Sequence, residues 1–310
     1  MNKNTEFTLD NSRRSTFTKC PYRYDLAYNR GITPVKGSTS LRYGSTFHAG
    51  MEGLYSHVKE HGWTRDGEAL TRAVEYAKKE WDTISEKQSF YSDYKDFDNF
   101  VKSMVLYLNH FAADEGMIEV ISTEKAFKIQ ISPGIWFTGR LDLEMKFSGL
   151  CWINEFKTTG KDINFVANQQ NRDYQFVGYT YAIKRVYKDV MPEGILVTYH
   201  HLSAYKSKKT GEYGESKILF DRIPQFFTEQ DLKDWKDSFL HTAALIRDCE
   251  TMDFWPRQYD SCHVYGSCPY LFLCEQKMPR GEDRLAGEYI IKEPWNVLDT
   301  VERENVIVIE

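Results

Sequence analysis

The chain lacks several features that would assign it quickly. No Gly-x4-Gly-Lys-Ser/Thr loop is present, which argues against an intrinsic ATP-driven motor. No apolar run approaches the roughly 18 residues needed to span a bilayer, and no signal-like hydrophobic region lies near the start. A soluble intracellular protein with no membrane partner is the expectation. Positive charge is not in excess: 40 Lys and Arg against 45 Asp and Glu leave a net charge of −5. That argues against a generic basic coat for nucleic acid, though an acidic metal site can offset a local basic groove. No Cys-x2-Cys knuckle of the common zinc type appears. No linker-like stretch divides the chain, so one continuous domain is expected over residues 1–310.

What is present is an ordinary globular composition, 41% hydrophobic and 27% charged, with unusually many aromatics at 15%. Such aromatics suit a large core and also surfaces that stack on bases. The most informative stretch is Thr138 to Lys157. It reads as two strands joined by a tight turn at Ser148-Gly149. Side chains alternate along a strand, so Asp142 shares a face with Arg140 and Glu144, and Glu155 shares one with Lys157. If those faces meet, two carboxylates and an ammonium converge at the edge of a sheet. Paired carboxylates attract a hard divalent cation, and a neighbouring lysine can position water and offset negative charge. The acid-x-Lys triplet alone means little, because six others begin at Asp93, Glu144, Glu215, Asp231, Asp234 and Glu275. What distinguishes Glu155 is the apolar lead-in from Leu150 to Ile153 and the hairpin partner carrying Asp142; solvated strand charges are the alternative.

Elsewhere, Gly44, Phe47, His48, Met51, Leu54, Tyr55 and Val58 form one stripe of a helix over about 41–61. His48 on that stripe is either a core histidine bonded to backbone or a ligand reaching the carboxylates. Asn11 to Phe17 reads as a polar lead into a short helix, and two more helices are expected in 67–85 and 93–115. Glu124, near the start of a strand over 121–131, is a surface acid or an extra carboxylate for the site. Gln175 and Tyr179, four apart in a helix, share a face that is either half-exposed or presents polar tips to a phosphate or base. Lys206-Ser207-Lys208-Lys209 reads as a basic hairpin tip, ordinarily just solvated but suited to phosphates.

Six cysteines are present. Cys262, Cys268 and Cys274 follow a Cys-x5-Cys-x5-Cys pattern, and both Cys20 and Cys268 precede Pro-Tyr. Iron–sulfur ligation by these four, structural zinc held by them or by three with His263, and unligated buried thiols are the alternatives. Cys151 and Cys249 read as small buried hydrophobes. A metal clip would join thiolates roughly 240 residues apart in sequence. Its entropic advantage grows slowly, by about 0.6 kcal/mol per doubling of the loop.

Taken in order, Cys20, His48, Gly139-x2-Asp142, Glu155-x-Lys157, Gln175-x3-Tyr179 and the cysteine triplet resemble the PD-(D/E)XK nuclease superfamily. More narrowly they resemble its RecB/AddB-type branch with an iron–sulfur staple, which includes CRISPR-associated and phage exonucleases. The resemblance implies an α/β fold with a mixed central β-sheet flanked by helices, a restriction-endonuclease-like core. It also implies a helical insertion at about 62–118 and a cysteine-cluster region at about 250–280. His48, Asp142 and Glu155 would hold Mg2+ or Mn2+ with the Phe156 carbonyl, and Lys157 would orient the attacking water. Gln175 and Tyr179 would contact DNA near the cleaved bond. Cys20, Cys262, Cys268 and Cys274 would carry a [4Fe-4S] cluster, or zinc. The expected activity is a DNA exonuclease, rather than an endonuclease, acting on single strands or free ends in recombination, replication or repair. A helicase or recombination partner and a bacterial or phage-infected host cytoplasm fit that activity. The main alternative is a non-catalytic DNA-binding or assembly module; an iron–sulfur redox sensor would leave the carboxylates unexplained.

Overall fold

The computed structural model describes residues 6–63, 67–90, 93–187, 194–264, 266–275, 287–294, 296–299 and 306–309. Parts of the expected insertion (64–66 and 91–92) and cysteine region (265 and 276–280) lie outside the described residues.

The first half of the chain forms β1 (Phe7–Leu9), α1 (Asn11–Lys19), α2 (Pro21–Tyr24) continuing into a π-helical turn, β2 (Ile32–Pro34), α3 (Thr39–His61), α4 (Gly67–Lys87) and α5 (Phe97–His110). Strands β3 (Ile118–Ser132), β4 (Ile135–Phe147) and β5 (Leu150–Thr159) follow, then α6 (Ile163–Gln170) and α7 (Tyr174–Val186). The chain continues through β6 (Ile195–Lys206), β7 (Tyr213–Gln225), α8 (Glu229–Met252), α9 (Leu271–Glu275), β8 (Tyr289–Ile291) and β9 (Val306–Ile309). A seven-stranded mixed sheet has the order β7-β6-β5-β4-β3-β9, with β1 joined to β4. This is the mixed central sheet with flanking helices that the family resemblance implied.

The segment expected as a polar lead is instead helix α1. Asp10 caps it, accepting a 2.8 Å hydrogen bond from the Arg13 amide. Phe17 is its one buried residue, so no apolar stripe announces it.

Packing divides the chain into two compact units. One comprises residues 37–127 and 140–232. Its core joins Phe47, Met51 and Leu54 of α3 with Phe100 and Met104 of α5 and Leu143 and Phe156 of the sheet. Helix α4 lies close on α3 because Gly53 has no side chain; a Cβ there would sit 2.7 Å from the Arg72 carbonyl oxygen. A buried polar network crosses this core: Arg222 donates to Asp114 at 2.9 Å, Thr198 to Asn154 at 2.6 Å, and the Tyr55 and Tyr107 hydroxyls meet at 2.8 Å.

The other unit comprises residues 1–36, 128–139 and 233–310. Here β1 runs parallel to β4 at Ile135–Phe137, and Phe137 packs against Trp235 and Phe239 of α8. Beside them, β2 pairs antiparallel with β8 over a small core of Leu26, Ile32, Tyr270, Leu273 and Tyr289.

Candidate active site

The site begins at the β4–β5 hairpin. Ser148 and Gly149 have φ of 51° and 80°, the left-handed pair that a two-residue turn of matching twist requires. The ladder runs from Phe147↔Leu150 to Leu143↔Asn154. Beyond it the Asp142 carboxylate, not the backbone, accepts the Phe156 N–H, at 2.9 Å. Strand β5 continues in parallel pairing with β6, from Ile153↔Ile195 to Thr159↔His201. The carboxylates therefore meet inside the sheet, where β4 and β5 stop exchanging ladder hydrogen bonds, and not at its edge as the sequence suggested.

Three residues from three elements come together there. His48 of α3, Glu124 of β3 and Asp142 of β4 each offer one ligand atom, all within 4.8 Å of one another. The His48 Nδ1 lies 3.2 Å from Asp142 Oδ1. Glu124 reaches this point from a left-handed backbone, φ 50°, inside its strand. Such a conformation costs a residue with a side chain about 1–2 kcal/mol and re-aims it, as a bulge does. Its carboxylate pairs with Arg140 at 2.6 Å.

Glu155 is fully buried, with one oxygen 3.3 Å from the Gln175 side-chain amide and 3.7 Å from the Lys157 ammonium. Its other oxygen is buried without a hydrogen-bond partner among the described residues. Lys157 donates to Gln175 Oε1 at 3.0 Å. Tyr179 is 6% exposed and packs edge-on against Phe127, so its hydroxyl rather than its ring belongs to the site. That hydroxyl bonds to Gln175 and the Arg140 backbone. For Phe156, it is the amide that meets Asp142, while the side chain is buried.

The electrostatics are those of crowded anions. Burial, then the Asp142 charge, push the Glu124 and Glu155 carboxyls well above the usual carboxylate range. Burial also acts on Asp142, but His48, Lys157 and the Phe156 amide outweigh it and hold that carboxyl below its ordinary value. An orphaned oxygen on Glu155, and two carboxyls that burial and then a neighbouring carboxylate make costly to ionise, are what a cation between them would relieve. The donor set of one imidazole and oxygen atoms fits a hard or borderline divalent ion.

Two contributing residues were not singled out as site residues from sequence. Arg140 lies two before Asp142 on the same strand face, and Glu52 lies one turn after His48. Burial raises the Glu52 carboxyl, partly offset by Arg140. The signals were spacing alone: i−2 on the strand and i+4 on the helix.

All four singled-out cysteines are free and fall in the other unit. Cys20 is buried; Cys262, Cys268 and Cys274 are half-buried. They lie near enough to influence one another: burial first, then Cys20, Cys268 and Cys262, push the Cys274 thiol up to about 11 against the opposing Arg257. The Cys268 amide donates to the Cys262 carbonyl at 2.8 Å. Cys249 is buried as expected, and Cys151 is half-buried. His263, the alternative zinc ligand, is exposed.

A mixed sheet with a histidine and carboxylates grouped beside a Glu-x-Lys strand defines a metal-dependent nuclease class. The chain belongs to the PD-(D/E)XK nuclease superfamily, whose family model matches residues 10–275. It is thus a nuclease, a phosphodiester hydrolase with DNA as the substrate the family implies, and nucleases of this superfamily use divalent metals. No curated protein matches the chain. Among solved structures it is similar to an exonuclease candidate from Eubacterium rectale, with 13% identity, TM-score 0.47, and 97% of this chain and 94% of that one covered. It is also similar to the protein SSO0001, with 12% identity, TM-score 0.28, and 76% and 86% covered. Among the described residues, no helix is long and apolar enough to cross a membrane.

Proposed function

We propose that this chain is a RecB/AddB-type DNA exonuclease that hydrolyses phosphodiester bonds at single strands or free ends, in recombination, replication or repair. The observation that carries the reading is the grouping of His48, Glu124 and Asp142 within 4.8 Å, with Glu155 and Lys157 adjoining it. His48, Glu124, Asp142 and Glu155, with the Phe156 carbonyl, would hold Mg2+ or Mn2+. When bound, the cation would supply Lewis acidity, neutralising phosphate charge and easing deprotonation of a water.

The chain's own side chains do the rest. Lys157 has three donors, and Gln175 takes one of them at 3.0 Å. The remaining N–H groups hold the attacking water and the charge that develops on the phosphate. Gln175 steers Lys157 and Glu155 together and, with the Tyr179 hydroxyl, faces the DNA backbone. The protein works in a bacterial or phage-infected cytoplasm, with a helicase or recombination protein supplying the opened strand.

In the same reading Cys20, Cys262, Cys268 and Cys274 carry a [4Fe-4S] cluster that ties the two ends of the chain. Support comes from the four thiols falling in one unit, near enough to influence one another.

The test is cleavage of end-labelled single- and double-stranded DNA by wild type and Lys157→Ala, with Mg2+, Mn2+ or EDTA. Metal-dependent release of mononucleotides, lost in the variant, is expected. No cleavage by wild type under any metal, or equal cleavage by the variant, would sink the nuclease mechanism; internal nicking without end release would sink the exonuclease assignment.

A further inference from the structure

Strand β5 does not end at the catalytic lysine. It runs on through Thr158 and Thr159 to Gly160, about 10 Å beyond Lys157 at the usual rise of a strand. Around that end the same unit gathers rings and ammonium groups in alternation. The Tyr94 hydroxyl lies beside Gly160, 3.5 Å from where a Cβ would stand. The Tyr94 ring contacts Tyr213 of β7, centroid to centroid 5.2 Å. Lys206, at the end of β6, sits 5.1 Å over the Tyr213 ring, and Lys95 lies 5.8 Å from the Tyr94 ring. Next to Gly160 in the chain, Lys161 lies 5.7 Å over Phe165. Phe165 is 51% exposed and Tyr213 38%.

The strip is held in place. His201 Nδ1 meets the Lys161 carbonyl at 2.7 Å, and Asp162 accepts the Phe165 amide at 3.0 Å, fixing the start of α6. Lys95 donates to Ser40 at 2.6 Å. The nearest acids are engaged by backbone: Asp93 accepts the Lys95 amide and Asp162 caps α6. Glu212, in the β6–β7 turn, and Glu215, two residues after Tyr213 on β7, are exposed acids that remain nearby.

We propose that Tyr94, Lys95, Lys161, Phe165, Lys206 and Tyr213 form a binding strip for single-stranded DNA that feeds the strand to Lys157. The proposal rests on the nuclease reading and specifies its substrate. Exposed ring faces beside ammonium groups match unpaired bases and their phosphates; in a duplex the base faces are stacked on each other and hidden. The basic hairpin tip singled out in the sequence thereby acquires a role, as the far end of the strip.

Binding of fluorescent dT20, of a 20-base-pair duplex and of rU20 would be measured by anisotropy in EDTA, where no cleavage occurs. Phe165→Ala and Tyr213→Ala are each expected to weaken dT20 binding by about 5- to 150-fold, the range for losing one stacked base. Duplex affinity stays unchanged, and Tyr213→Phe, which keeps the ring, binds like wild type. Lys206→Ala lowers the slope of log K against log salt by about 0.7. Unaltered dT20 affinity in both alanine variants, equal losses on duplex, or loss in Tyr213→Phe as well would overturn the strip. Tighter binding of rU20 than of dT20 would overturn the DNA assignment. Hydrolysis of bis(p-nitrophenyl) phosphate in Mn2+ separates the two readings: it needs no strand, so the strip variants keep it and Lys157→Ala loses it. Its absence in wild type counts against the nuclease mechanism and leaves the binding result to decide the strip alone.

Discussion

His200 offers a quantitative test of the core that supports the site. It lies on β6 with no solvent exposure, its imidazole stacked 4.5 Å from Phe47 and 5.0 Å from Phe220. Neither ring nitrogen has a hydrogen-bond partner among the described residues. Burial, aided by nearby His201, pushes its pKa down to about 3. An unfolded imidazole takes up its proton near pH 6.5. Between those two values the unfolded chain binds the extra proton, so stability falls as pH falls, by up to about 1.4 kcal/mol per pH unit. Integrated from pH 7 to pH 5, the loss from this one residue is about 2 kcal/mol.

His200→Phe keeps a ring in the stack and removes the titration. Its packing consequences have either sign: two orphaned nitrogens disappear, while the larger ring must be accommodated at about 1–3 kcal/mol. Those contributions do not depend on pH. The informative quantity is therefore how the stability difference between variant and wild type changes with pH, measured by chemical denaturation at pH 7, 6 and 5 in EDTA. The difference should move toward the variant by about 2 kcal/mol. A difference constant to within about 0.5 kcal/mol would refute the reasoning, since it would mean that His200 titrates alike in the folded and unfolded chain.

Two further outcomes follow from the same unit. Asp114→Ala leaves the Arg222 guanidinium, 9% exposed and 4.1 Å over Phe111, without its carboxylate, and should cost about 3–5 kcal/mol by chemical denaturation. Asp114→Ala with Arg222→Leu should recover part of that; equal loss in single and double variants would show that the pair matters only as packing. For the metal site, a cation competes with protons for the Glu124 and Glu155 carboxyls, which burial and then the Asp142 charge push above the usual carboxylate range, so Mn2+ affinity should rise with pH. Calorimetry in buffers of different ionisation heat should find fewer protons released by Glu124→Gln than by wild type, and equal release would exclude Glu124 from the ligand set.

Much of this arrangement was legible in the chain, and the gaps have identifiable causes. The β4–β5 hairpin was readable because a Ser-Gly pair between alternating strands admits few backbone geometries. His48 was readable because a periodic stripe shows which helix face turns inward. Glu124 was named only as an extra acid: its place beside His48 and Asp142 depends on a left-handed residue within a strand, and no periodicity encodes that. Tyr179 shares its helix face with Gln175 as expected, but Phe127 covers its ring, and that contact comes from a strand some fifty residues earlier. The two units were invisible for a related reason. Only the boundary at 36/37 falls in a loop rich in Gly, Pro and Ser; those at 127/128 and 139/140 fall within β3 and β4, and the one at 232/233 within α8, where no linker composition occurs.

The two units also solve stability differently, and this explains why chemistry-bearing residues of such different kinds occur in one chain. The unit with the carboxylates has a wide aromatic core, from Phe47 through Phe100 to Phe156. That core can carry a local cost: buried Asp142 and Glu155 with half-buried Glu124, at a point where β4 and β5 cease to exchange ladder hydrogen bonds, where burial and then the Asp142 charge make Glu124 and Glu155 costly to ionise. A cation held there would offset that cost, so function and stability would rise together. The small core beside the cysteines, built on Leu26, Ile32, Tyr270, Leu273 and Tyr289, has no such reserve. Its strands β2 and β8 are three residues each, below what a two-stranded pair needs to stand alone. Cys268 packs against this core, and a metal group held by it with Cys20, Cys262 and Cys274 would supply cohesion that apolar area does not. One group of side chains stores a cost that a bound cation would relieve, while the four cysteines stand in the unit with the smaller core.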